Sequence, residues 1–172
     1  AASAESNSSW AFVTNGSVTV QGNATIGYDP GTVSNRAWLG GGIFAMDSVV
    51  RMDSNARVVH GHAGYGGAVL LWNSSGVFAR SQLRHNVASV AGGGMFVYLT
   101  SAVVMASCVV ESNRAGQAAG VQCISVPAPV IISNTVFARN NSMSIAGALQ
   151  TDGCSAMLIC GGSRFEENNA VL

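Results

Sequence analysis

Phe165-Glu-Glu-Asn168-Asn169 (FEENN) echoes Phe137-Ala-Arg-Asn140-Asn141 (FARNN), 28 positions earlier. Each carries an aromatic residue, two free positions and an asparagine. With other apolar residues admitted at the first place, the marker recurs as Thr32-x-x-Asn35, Val58-x-x-Gly61, Leu83-x-x-Asn86, Val110-x-x-Asn113, Phe137-x-x-Asn140 and Phe165-x-x-Asn168, at steps of 26, 25, 27, 27 and 28. Two residues past the Asn position stand Ala37, Ala63, Ala88, Ala115, Ser142 and Ala170. A small pair and an apolar residue follow: Gly41-Gly42-Ile43, Gly66-Gly67-Ala68, Gly93-Gly94-Met95, Ala119-Gly120-Val121 and Ala146-Gly147-Ala148. Three markers in one register over six units identify a repeat architecture.

The period and the punctuation select the architecture. No 3.6-residue apolar pattern is present, Gly interrupts each unit, and the leucine-rich frame is absent. Short apolar runs split by Gly and Asn predict three short strands and three turns per unit, one rung of a parallel β-helix. Rungs stack at about 4.8 Å. The apolar residue of the marker then points inward. Asn tolerates a left-handed backbone, and its amide can bond a tight turn. Repeated at every rung, it predicts a buried ladder at Asn35, Asn86, Asn113, Asn140 and Asn168, with Gly61 in the same place.

Gly66-Gly67-Ala68-Val69, together with FARN (Phe137 to Asn140) and FEEN (Phe165 to Asn168), resembles the repeat pair of the chlamydial polymorphic outer membrane proteins. Related repeats occur in other bacteria and in algal surface proteins. The resemblance covers roughly residues 32–172. It implies a right-handed parallel β-helix of the pectin-lyase-like type, and a role in surface adhesion or an extracellular coat. The chain is thus expected to be all-β, a solenoid of about six rungs. Residues 1–31 are expected to form an irregular N-terminal rung or cap-like segment, and residues 32–172 the repeats of a longer solenoid. Its open ends call for other segments or chains to cover them.

Composition narrows the function. The chain is 48% hydrophobic and 9% charged, with zero formal net charge, so nucleic acid and acidic membranes are not expected partners. The uncharged stretch from Val87 to Val110 is long enough to span a bilayer, but it contains Gly92-Gly93-Gly94, and the repeat accounts for it without a transmembrane segment. Polysaccharide-cleaving β-helices need clustered carboxylates. Here Asp47 and Asp152 stand at like positions four rungs apart, about 19 Å by the strand spacing. No catalytic residue, cofactor or metal ligand is therefore assigned. His60 and His85 should stack on neighbouring rungs, in an exposed polar column continued by Ser112, Arg139 and Glu167. Arg84 beside Glu111 and Arg139 beside Glu167 fit such a column.

Cys108, Cys123, Cys154 and Cys160 form no C-x-x-C pair, which disfavours zinc. Buried thiols and a disulfide both remain open, and Cys123–Cys154, on adjacent rungs, is the pair expected if a bridge exists. Sequons begin at Asn7, Asn15, Asn23, Asn73 and Asn140. The first four are expected to be glycosylation sites, whereas Asn140 belongs to the ladder. The expected function is a non-catalytic structural or adhesive segment of a larger cell-surface or secreted protein, with surface glycans or proteins as partners. The rival is a fragment of a carbohydrate-active enzyme with its acids elsewhere.

Overall fold

The computed structural model describes residues 11–27, 36–99 and 102–171. These build a parallel β-solenoid of 23 short strands in four sheets, and no helix occurs among the described residues. The first sheet holds Ala11–Thr14, Ile43–Met46, Val69–Trp72, Met95–Tyr98, Val121–Ile124 and Leu149–Asp152. The second holds Ser17–Val20, Val49–Met52, Ser75–Ala79, Ala102–Ala106, Val130–Ser133 and Met157–Cys160. The third holds Thr25–Gly27, Arg57–Val59, Gln82–Arg84, Val109–Glu111, Val136–Ala138 and Arg164–Glu166. The fourth holds His62–Tyr65, Val87–Ala91, Arg114–Gln117, Asn141–Ser142 and Asn169–Ala170. Each turn therefore has four strands, where the sequence pattern suggested three. Five four-stranded turns follow a first turn of three described strands.

The corners explain how strands of two to five residues can close a turn. A residue with φ near +50° sits between the first and second sheets at Asn15, Asp47, Asn73, Leu99 and Ser125. Between the second and third sheets the same conformation falls on Asn23, Asn55, Arg80, Ser107 and Asn134, and between the third and fourth on His60, His85, Ser112, Arg139 and Glu167. Gly40, Gly66, Gly92 and Ala118 close the turn. A single left-handed residue bends an extended chain sharply, which is why four bends fit in one turn. The third corner corrects the expected reason for the marker Asn: the bend belongs to the residue before it.

Pairing confirms one apolar column and shifts its first member. Val58, Leu83, Val110, Phe137 and Phe165 lie in register on the third sheet. The residue stacked on Val58 at the other side is Ile26, not Thr32. Thr32 and Asn35 lie outside the described residues. The strands before residue 28 pair with those that follow, so the stacking extends N-terminal of the boundary expected at residues 31/32. The small pair also moves by one residue in two turns. Ile43, Val69, Met95, Val121 and Leu149 are in register, which makes the aligned pairs Gly41-Gly42, Gly67-Ala68, Gly93-Gly94, Ala119-Gly120 and Gly147-Ala148. Small size is required there: a Cβ on Gly67 would stand 2.3 Å from the Gly93 carbonyl oxygen.

Inward side chains form one continuous core from Val20 to Phe137. Val58, Val110 and Phe137 are fully buried, as are Ile43, Leu71 and Met95, each contributing about 1.5–3 kcal/mol relative to exposure. The stretch from Val87 to Val110, suspect for its length without charge, supplies strands of the fourth, first, second and third sheets in turn. No helix among the described residues is long and apolar enough to cross a membrane.

Candidate functional site

The ladder positions come first, because they hold the third corner still. Asn86, Asn113 and Asn140 are fully buried. The Asn113 Oδ1 accepts from the Asn86 N–H and from Asn86 Nδ2, both at 3.0 Å. Asn140 does the same for Asn113, and Asn168 for Asn140. Each side-chain amide also donates to the preceding turn: Asn86 to the Val58 carbonyl, Asn113 to Leu83, Asn140 to Val110 and Asn168 to Phe137. Gly61, with no side chain, donates its N–H to Asn86 Oδ1 at 2.9 Å.

Beside this column lie all three histidines of the chain. The rings of His60 and His85 stack at 5.4 Å and 9°. His62, which the repeat alone did not bring to the group, joins them in a cleft of about 500 Å³ lined also by Ser112, Arg114, Arg139 and Asn141. Burial, aided by Arg36 and His60, lowers the pKa of His62; burial, aided by His60 and Arg84, lowers that of His85. Glu111 is held by Arg84 at 3.1 Å and by Arg139, and Glu167 stands 3.7 Å from Arg139. Among the described residues, no three His, Cys, Asp or Glu side chains are placed to hold a metal. Asp47 and Asp152 are not at like positions: Asp152 pairs with Ile124, and Asp47 occupies the corner before the second sheet.

The outer surface of the first sheet is aromatic. Along its strands Ile43 and Ala45 face the core, so Phe44 and Met46 face outward, as do Leu70 and Trp72, and Phe96 and Tyr98. A second apolar cluster forms outside the core around Phe44, Leu70 and Phe96. Tyr65 packs edge-on against Phe96 at 5.1 Å and against Trp38 at 6.0 Å, and Trp72 against Tyr98 at 5.3 Å. Trp38 remains 67% exposed and Trp72 39%. They border a shallow groove of about 510 Å³ with no charged side chain in its lining. Gln122 and Gln150 continue the Phe44–Leu70–Phe96 column and bond to each other at 2.9 Å. The aromatics Phe44, Trp72, Phe96 and Tyr98, which follow three of the five small pairs, were the sequence signal for this face.

The expected glycosylation sites Asn15, Asn23 and Asn73 are exposed left-handed corner residues; Asn7 lies outside the described residues. The expected Cys123–Cys154 bridge is not made, and all four thiols are free. Cys123 points into the core opposite Thr151, where burial and the neighbouring Cys154 push its thiol up to about 12. Cys154 packs partly buried against the same core, its thiol donating to the Cys123 and Asp152 carbonyls. Cys108 and Cys154 each donate to the carbonyl two residues back, as Ser48, Ser74, Ser81 and Thr135 do after other corners. They take the place of a corner hydroxyl.

No family model matches the sequence, and neither a characterised protein nor a solved structure was found to match it.

Proposed function

We propose that this chain is a non-catalytic adhesive solenoid acting outside the cell or at its surface, and that it grips a neutral glycan with the aromatic face of the first sheet. The observation that carries this reading is the uncharged groove bordered by Trp38, Tyr65, Trp72, Phe96 and Tyr98. The electron-rich ring faces attract the polarised C–H groups of a pyranose, and the exposed rings of Trp38 and Trp72 offer that surface to solvent. A charged ligand finds no counter-charge there. Binding per unit is weak, and adhesion follows from several sugar units meeting several rungs. The resemblance to surface-protein repeats and the exposed sequons at Asn15, Asn23 and Asn73 support an extracellular setting. The non-catalytic part of the reading is supported by the pairing of Glu111 with two arginines.

Tryptophan fluorescence tests the reading. Titration with soluble β-glucan and chitin oligosaccharides is expected to give a saturable blue shift. Trp72→Ala combined with Tyr98→Ala should remove it while leaving the unfolding transition two-state. A flat titration with both glycan classes, or a shift indifferent to the double substitution, overturns the reading.

A further inference from the structure

The two sheets that meet at the histidine corner carry an uneven charge. Arg36, Arg57, Arg84, Arg114, Arg139 and Arg164 belong to them or to their shared corner, against Glu111, Glu166 and Glu167. A chain that is neutral overall thus has one cationic edge. At its centre lies the cleft of His60, His62, His85, Ser112, Arg114 and Arg139. Among the described residues its lining includes no carboxylate. Glu111, in the neighbouring column, is only 13% exposed and spends its two oxygens on Arg84 and Arg139. Arg114 is exposed and has no ion-pair partner among the described residues. Every polar side chain lining the cleft can therefore present a donor, and protonated histidines present only donors.

We propose that this cleft binds an oxyanion of the sulfate type, either the free dianion or the singly charged ester carried on a glycan chain. The site is separate from the aromatic groove, which lies on the first sheet, and does not rest on it. Charge-assisted hydrogen bonds from Arg114 and the histidines hold the oxygens, and Ser112 and Asn141 complete the donor set. The histidines are faced by Arg36 beside His62, by Arg84 from the third sheet, by Arg114 from the fourth and by Arg139 from the corner, with paired Glu111 the nearest acid and Glu167 beyond Arg139. In this setting protonation of the empty cleft is opposed. An anion in the cleft reverses that, so binding takes up protons and, by linkage, tightens as the pH falls.

Sulfate is the probe because it stays a dianion between pH 5 and 8, which assigns any pH dependence to the protein. Histidine ring-proton NMR of the full chain, in sodium sulfate and in sodium chloride of equal ionic strength, should show midpoints raised by about half a unit or more in sulfate. Calorimetry should show sulfate or dextran sulfate bound about tenfold more tightly at pH 5.5 than at pH 7.5. Arg114→Gln should remove most of that binding; Arg51→Gln, on the second sheet, should not. Equal affinity per group for free sulfate and for the sulfated chain identifies the free ion as ligand, and much tighter binding of the chain identifies the ester. Midpoints identical in the two salts, or binding lost equally in both arginine variants, overturns the proposal.

Discussion

The side-chain oxygen of Asn140 accepts two hydrogen bonds from Asn113, one from its backbone N–H at 3.1 Å and one from its side-chain amide at 3.0 Å. Asn140 also donates to the Val110 carbonyl at 2.9 Å. Asn140→Ala leaves these buried groups short of partners, at about 1 kcal/mol or more each. A destabilisation of about 3 kcal/mol is expected in urea unfolding. A loss below about 1 kcal/mol would mean that the column holds no strain-bearing corner.

The same geometry separates two sequons. Asn73 is exposed at a left-handed corner, whereas Asn140 is fully buried. Expressed in a host that N-glycosylates, the protein should carry sugar at Asn73 and none at Asn140, read by glycopeptide mass spectrometry. The positive φ at Asn73 also sets the cost of replacing it. Asn73→Gly should be near neutral, but Asn73→Ala should cost about 1 kcal/mol through the left-handed backbone.

Leu99 holds the corner that Asn15 and Asn73 hold in other turns, at φ 51°, and it is an exposed apolar side chain. A branched residue is strained there, and little burial is lost on replacing it. Leu99→Asn should raise stability by about 0.5–1 kcal/mol. The comparison belongs in a bacterial host, because the change creates an N-T-S sequon. A lowered melting temperature would show that Leu99 packs in a way its exposure conceals.

Stability should fall with acidification in chloride buffer. The pKa values of His62 and His85 are lowered in the folded chain, so the unfolded chain binds more protons below its own histidine pKa of about 6.5. Their contribution is fully present above that pH, shrinks as the pH falls towards the folded values, and is level beneath them. Melting temperatures at pH 7.5, 6.5 and 5.5 should decline, and less steeply in a His62→Gln, His85→Gln double variant. Parallel declines in the two proteins would refute the assignment.

Thiol reactivity should follow position. Cys160 is exposed, while Cys108 and Cys123 are buried and their thiols are raised by burial. Brief alkylation of the native protein at pH 8 should label Cys160 first, and Cys108 and Cys123 only after denaturation. Rapid labelling of Cys123 would mean that the core opens readily at the first sheet.

The inward column from Val58 to Phe165 was legible because side chains that stack must match, and matching survives small changes of spacing. Its first member was not, because 32 residues separate Ile26 from Val58 and the period pointed to Thr32 instead. Gly66 belongs to the corner and not to the small pair, which the letters alone cannot tell, since both places take Gly. The fourth sheet was hidden because its strands follow those of the third after a single corner: only two residues separate Gln82–Arg84 from Val87–Ala91. Left-handed corners occupied by Arg80, Leu99 and Glu167 gave no signal, because those residue types rarely adopt that backbone. His62 escaped the histidine group for the same reason: it lies beyond the bend that returns it to His60 and His85.

The hydrogen bonds of all four sheets, and of the asparagine column, join one turn to the next, while the covalent chain runs around the turn. Tension applied between the two ends therefore strips the solenoid turn by turn instead of rupturing it at once. The paired positions on the third sheet are 25 to 28 residues apart, so each detached turn pays out about 80–100 Å of chain. Such a body is a yielding tether, which lengthens in like-sized steps and dissipates work while the turns still stacked keep their shape.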